Sequence, residues 1–297
     1  MATATGPAGK HTHHIGHVQV SRVYEQPLPL PPAALIPDFD PAVLKEHWEL
    51  MVPDHYDAGD DKLLLGIHSW VLQTGRHTIV IDSCVGNDKQ RPAFPQFHNA
   101  QNPYLERLEE AGIRPEAVNY VFCTHLHVDH VGWNTRLQDG RWVPTFPNAK
   151  YVFSKSEHEY WSGPAGKEGP NAGVYEDSVL PVVEAGLAEI IDGAAELPCG
   201  LVLQPTPGHT PGHVAVTLAA GGNEALFTGD IMHSPIQVCR PHWNSGFCGE
   251  PEKARASRLW ALEYAAERRA AVFTAHFGGK SAGRVARTPG GFTWTGF

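Results

Sequence analysis

The sequence predicts an α/β protein, and three observations predict it. Four apolar runs too short for helices, 120–123, 201–203, 225–227 and 271–273, read as buried strands. Each gives way to a polar segment that carries His or Asp. Helical patterns at 103–112, 155–161 and 251–269 alternate with the strand-like runs. With 297 residues, 42% of them hydrophobic, the chain has apolar mass for one large core or two small ones.

In chain order, residues 1–17 are small, polar and histidine-rich and are expected to be disordered. His11, His13, His14 and His17 form a tract that a flexible tail cannot shape into a catalytic site. One domain is expected over 18–297. Residues 18–23 alternate as a first strand. A Pro-rich arm at about 25–60 follows, where Pro27-Leu-Pro-Leu-Pro-Pro reads as neither helix nor inner strand. Asp40 is placed to cap a short helix, with Pro41 at its first position. Residues 63–72 and 78–81 flank Thr74-Gly75-Arg76-His77 as a hairpin, in which His68 is a packed strand residue. Asp82-Ser-Cys-Val-Gly86 is a turn after it.

Asn102 caps a helix that Pro103 opens, Leu105 and Leu108 make apolar, and Gly112 ends. Residues 151–153 form a strand, and Ser154 to Glu157 is a capping box for the helix through Tyr160 and Trp161. Residues 162–173 are rich in Gly and Pro and read as a loop long enough to be functional. The 251–269 helix is amphipathic, with Leu259, Leu262, Ala265 and Ala266 near one face.

Thr124-His125-Leu126-His127-Val128-Asp129-His130 organises the chemistry. Three imidazoles and a carboxylate in six residues, at the end of a buried strand, are costly to bury unless something pairs with them. A metal does this. His125 and His127 alternate and reach one ion, whereas Asp129 and His130 point towards a second. Nitrogen and carboxylate donors without a thiolate suit zinc, with manganese, cobalt or iron as alternatives. Thr206-Pro-Gly-His209-Thr-Pro-Gly-His213, Phe227-Thr-Gly-Asp230 and Phe273-Thr-Ala-His276 place further donors just after apolar runs. Strand ends converging on one edge would make a dinuclear centre.

Composition narrows the partners. A formal net charge of −9 without a basic stripe speaks against nucleic acid. No apolar stretch reaches membrane-spanning length, and the N-terminus lacks the apolar core of a signal peptide. Five cysteines, without a CxxC, fit a reducing compartment, so the cytoplasm is expected and Cys239 and Cys248 are expected to be reduced thiols.

The ordered set HxHxDH, then His209, Asp230 and His276, resembles the metallo-β-lactamase superfamily over nearly the whole chain from about Val18. The resemblance implies a four-layer αβ/βα sandwich and two divalent metal ions per chain. It implies one ion on His125, His127 and His209, another on Asp129, His130 and His276, and Asp230 as the bridge. Asp82 is implied as a carboxylate that orients a metal-binding imidazole. The implied activity is hydrolysis by a metal-bridging hydroxide, with Asp129 as a proton donor to the leaving group.

Letters within the motifs narrow the subfamily. Flavodiiron reductases carry Glu where this chain has His127, and the Cys-ligand zinc β-lactamases carry Cys where it has Asp230. Gly229-Asp-Ile-Met-His233, the polar loop after it and Thr274-Ala-His-Phe-Gly278 look like the group of methyl parathion hydrolase and related lactonases. Acyl homoserine lactonases carry a Tyr at the position of His233, which is either a substrate hydrogen-bonding group or a support for the ligands. The resemblance therefore implies a small ester-like substrate, a lactone or carboxylic ester, with an organophosphate triester as the alternative. A non-catalytic metal-binding or sensing protein is the reading from another class. Phe94, Phe97, Trp133, Trp161 and Trp243 are candidate pocket aromatics. A homodimer is expected from the Pro-rich arm and the related proteins.

Overall fold

The first sheet starts earlier than the sequence pattern suggested, because β1 (Thr12–Ile15) pairs antiparallel with residues 18–21 of β2 (Val18–Leu30). The computed structural model describes residues 12–197 and 199–297. The disorder expected over 1–17 therefore fails for 12–17: a polar strand is stable when a neighbour satisfies its backbone. Residues 1–11, with His11, lie outside the described residues. Pro27 and Pro29 lie inside β2, contrary to expectation. β1 partners only residues 18–21, and both prolines put exposed side chains either side of buried Leu28.

The arm also contains helix. α1 (Pro32–Leu35) has Pro32 at its first position, where no amide hydrogen is needed. α2 (Pro41–Glu46) is capped by Asp40, whose carboxylate accepts from the Ala42 amide at 2.8 Å; such a cap contributes about 1 kcal/mol. α3 (Trp48–Met51), β3 (Tyr56–Asp57), β4 (Lys62–Gln73) and β5 (Thr78–Ile81) follow, and β4 and β5 form the expected hairpin. α4 (Tyr104–Glu110) starts one residue later than expected, with Pro103 as its cap. β6 (Tyr120–Phe122) leads into the histidine motif. An unforeseen hairpin of β7 (Thr135–Gln138) and β8 (Arg141–Pro144) comes next.

β9 (Lys150–Ser154) runs into α5 (Lys155–Ser162), where the Ser154 hydroxyl accepts the Glu157 amide as the capping box predicts. The expected loop that follows contains one tight turn, and a π-helical turn at Tyr175–Val179 lies beyond it. Arg91 clasps Asp177 of that turn through two contacts of 2.7 and 2.6 Å. α6 (Leu180–Glu184) and β10 (Ala188–Ile191) complete this stretch. One sheet has the order β1-β2-β4-β5-β6-β9-β10, with β3 beside β4; β5, β6, β9 and β10 are parallel.

The second sheet is built in simple succession from β11 (Ala195–Glu196), β12 (Leu201–Pro205), β13 (Val214–Ala220), β14 (Asn223–Phe227), β15 (Ala271–Phe273), β16 (Ala282–Thr288) and β17 (Gly291–Gly296). β14 and β15 pair in parallel and are joined by α7 (Ile236–Cys239) and α8 (Pro251–Arg268). The chain divides into two compact units. Unit I holds 12–25 and 67–195; unit II holds 26–66 and 196–297.

The core of unit II packs Ala261, Leu262 and Ala265 of α8 against Leu226, Val272 and Phe277. Each large side chain buried this way contributes about 1.5–3 kcal/mol. Leu259, expected on that face, is instead 45% exposed, while Arg258 beside it is fully buried. Leu262, Ala265 and Ala266 of the expected face do pack on the core, and Leu259 alone is misassigned, because helix periodicity cannot register a buried guanidinium as an inward position.

Candidate metal centre

In unit I the strand ends of β5 and β6 meet in register, Ile81 opposite Phe122. Asp82 follows with φ +56°, a left-handed conformation that Asp tolerates. Its Oδ1 accepts the Thr124 amide at 2.8 Å, and its Oδ2 accepts the Thr124 hydroxyl at 2.9 Å. The same Oδ2 lies 2.9 Å from Nδ1 of His130. Nδ1 of His130 thus faces the Asp82 carboxylate, and Nε2 lies on the far side of the ring. That nitrogen faces Asp129 Oδ1 at 3.8 Å.

His125 is fixed in the same way. The Thr124 hydroxyl hydrogen is committed to Asp82, so its oxygen accepts from Nδ1 of His125 at 3.1 Å. The lone pair on His125 Nε2 is thereby presented to Nδ1 of His127, 3.0 Å away. The His125 and His130 rings are 4.0 Å apart.

The backbone beneath these side chains is knitted to the Asp82 turn. Ser83 N–H donates to the His130 carbonyl at 2.7 Å, and Gly132 N–H to the Cys84 carbonyl at 2.7 Å. The approach demands glycine twice. A Cβ on Gly132 would lie 1.7 Å from the Val85 carbonyl oxygen, and one on Gly86, at φ +79°, would lie 2.6 Å from Gly132 itself. Behind the motif, Glu157 Oε2 accepts the Leu126 amide at 3.1 Å and the Trp161 indole N–H at 2.6 Å. Asn171 donates to the Leu126 carbonyl at 2.9 Å.

In unit II, parallel pairing sets Phe227 opposite Phe273, and Asp230 and His276 each lie three residues beyond that pair. His209 leaves β12 through a turn at Gly208 (φ +135°), where a Cβ would meet the Ala254 amide nitrogen at 2.1 Å. Asp230 Oδ1 is 3.0 Å from His276 Nε2, and Oδ2 is 3.2 Å from His209 Nε2 and 3.1 Å from His233 Nε2. Nδ1 of His276 donates to the Gly66 carbonyl at 3.1 Å, so its Nε2 also turns a lone pair towards a carboxylate oxygen. Asp230 N–H donates to Nε2 of His213 at 2.9 Å, which puts the hydrogen of that ring on Nδ1, facing Thr206 Oγ1 at 2.8 Å. Burial lowers the pKa of His233 against the raising effect of Asp230. Its Nδ1 is buried without a hydrogen-bond partner.

The donor set fits divalent cations. On His125 and His276 the far nitrogen donates a hydrogen bond, on His130 it lies against the Asp82 carboxylate, and Nε2 of each faces a further nitrogen or carboxylate oxygen. Acceptors that face acceptors at such distances repel unless a cation or proton lies between them. Imidazole and carboxylate without thiolate favour zinc among the common ions.

The candidate aromatics separate. Trp161 packs edge-on against His127, with ring centres 5.4 Å apart. Trp133 is a core ring, stacked on Tyr104 and donating its indole N–H to Glu25 at 2.6 Å. Phe97 is buried against half-buried Phe94, and Trp243 is buried against Phe39. Trp133, Phe97 and Trp243 thus fill the protein interior, because rings between packed layers bury their area there. The residues that pattern reading missed are Glu157, whose only signal was its place in the capping box, and His213, the second His of a repeated Thr-Pro-Gly-His.

The metallo-beta-lactamase superfamily model matches residues 64–276, so the chain belongs to that superfamily and has its α/β fold. An N-acyl homoserine lactonase of Bacillus sp is 30% identical over 169 residues, 52% of this chain. The chain spans 58% of that relative's length. The solved structure of the hydrolase AbOPH superposes with a TM-score of 0.81 at 24% identity, covering 98% of each chain. AidC, a dizinc quorum-quenching lactonase solved with N-hexanoyl-L-homoserine, gives 0.78 at 22% identity, covering 97% of each chain.

Proposed function

We propose that the chain is a dinuclear metal-dependent hydrolase that opens a lactone or cleaves a related carboxylic ester, within a single metallo-β-lactamase-like domain. The observation that carries the reading is the set of three imidazoles whose Nδ1 is engaged by the surrounding protein and whose Nε2 faces another ligand-type atom. In this reading His125, His127 and His209 would hold one ion and Asp129, His130 and His276 the other, with Asp230 shared between them. Two divalent ions would supply Lewis acidity and a water-derived nucleophile near neutral pH.

The chain's own groups do the rest. Asp82 keeps the imidazoles of His125 and His130 turned with Nε2 forward. His213 and His233 steady Asp230 through its amide and its Oδ2. Asp129 is only partly buried, and in this reading its carboxyl hands a proton to the leaving oxygen. The lactone assignment leans on the names of the lactonase relatives. A cytoplasmic homodimer is part of the same reading. Among the described residues no helix is long and apolar enough to cross a membrane.

The test is a rate panel on zinc-reconstituted protein: γ- and δ-lactones, aryl esters and an aryl phosphotriester. Lactones turning over fastest supports the reading. Phosphotriester turnover in first place replaces it with a triesterase, and silence with two ions bound per chain sinks the hydrolase assignment.

A further inference from the structure

Arg258 is among the largest fully buried side chains of the protein, on the inner side of α8. Its Nε–H donates to the Ile231 carbonyl at 2.9 Å and Nη1 to the Pro241 carbonyl at 2.8 Å. Nη1 and Nη2 both donate to Asn244 Oδ1 at 3.3 Å. These three oxygen acceptors are neutral, the Cys248 thiol also interacts with the guanidinium, and among the described residues no carboxylate pairs with it. Desolvation lowers its pKa to about 10, which leaves it a cation at neutral pH. An unpaired cation in a helix core is costly where Leu or Met would pack well. The acceptors show what the charge is used for.

Ile231 follows Asp230 directly, in the same short turn. Pro241 and Asn244 bracket Trp243 in the loop between α7 and α8. That loop returns to the other ligand turn, because Gly249 N–H donates to the His209 carbonyl at 3.0 Å and Glu250 N–H to the Gly208 carbonyl at 2.8 Å. Asn244 closes the circuit by donating to the Pro251 carbonyl at 3.1 Å. Gln237 runs alongside, accepting the His233 amide at 2.7 Å and donating to the Trp243 carbonyl at 3.0 Å. The Asp230 turn and the loop behind His209 therefore meet at one guanidinium. Its planar fork fixes three oxygens relative to one another, which a lysine ammonium cannot do.

We propose that Arg258 is a positioning residue that sets the separation of Asp230 and His209 for metal binding. This rests on the reading of both as ligands. The test uses full-length Arg258→Lys and Arg258→Met with two readouts. The first is hydrogen exchange of the metal-free protein: both variants exchange at least tenfold faster across residues 230–249 and unchanged in β12 to β14. The second is titration with Co2+, followed by its visible absorption bands: the variants bind at least tenfold more weakly with altered band positions, and kcat falls at least tenfold while KM moves less than threefold. Arg258→Lys with wild-type exchange, bands and kcat overturns the proposal, even if Arg258→Met does not fold. Faster local exchange with unchanged Co2+ affinity and bands also overturns it and leaves a purely structural role. Wild-type protein that binds no Co2+ instead defeats the ligand reading.

Discussion

Oδ2 of Asp82 lies 2.9 Å from Nδ1 of His130 and also takes the Thr124 hydroxyl hydrogen that makes that oxygen an acceptor for His125. One carboxylate thus bears on the orientation of two imidazoles. Asp82→Ala frees both rings to turn and change tautomer, so zinc affinity falls about 10- to 100-fold. Competition against a chromophoric chelator measures it. Wild-type affinity in the variant would show that the Asp82 contacts do not govern binding.

Asp230→Asn replaces an anion flanked by three imidazole nitrogens at 3.0–3.2 Å with a neutral amide. Activity falls by more than a thousandfold, and the metal content drops from two ions to one or none. Far-UV circular dichroism of the metal-free variant matches wild type. Retained turnover would remove Asp230 from the shared position.

Glu157→Ala strips the acceptor from two buried donors, the Leu126 amide and the Trp161 indole. Each stranded donor costs about 1–3 kcal/mol. Both bonds go to Oε2, so Glu157→Gln, which keeps one carbonyl oxygen, loses about 1 kcal/mol or less. Urea denaturation of the two variants separates the cases. Equal losses would mean that charge, not the acceptor oxygen, matters there.

Glu25 carries a pH dependence. Burial raises its carboxyl from 4.5 to about 7, outweighing the lowering by the Val85, Trp133 and Gly86 N–H groups. The folded state therefore holds this proton more tightly than the unfolded state. The contribution to stability is complete below pH 4.5 and is lost as pH rises through about 7. The stability of wild type relative to Glu25→Gln should fall between pH 5 and 8 by up to about 3 kcal/mol. A flat difference between these pH values would show that Glu25 is already ionised in the fold at pH 5.

Much of this was legible in the letters. The strand ends, the Asp40 cap and the Asp82 turn could be read because each depends on neighbours a few residues away. Glu25 and Arg258 could not. Their burial is decided by partners 60 residues or more away for Glu25 and by three carbonyls of two loops for Arg258. Trp133 looked like a pocket wall because it follows the motif, yet its indole serves Glu25, 108 residues earlier. β1 was hidden for the converse reason: a polar strand shows no period that a hydrophobic pattern can reveal, and its stability comes from β2.

Gly86 and Gly132 have no functional groups, yet a single methyl on either would collide with the main chain that supports His130. Inheritance should treat them accordingly. In a library covering every substitution, selected for activity, these two positions should be as empty of survivors as the metal-binding histidines, and the purged alleles should fail by mis-setting His130 rather than by losing a donor.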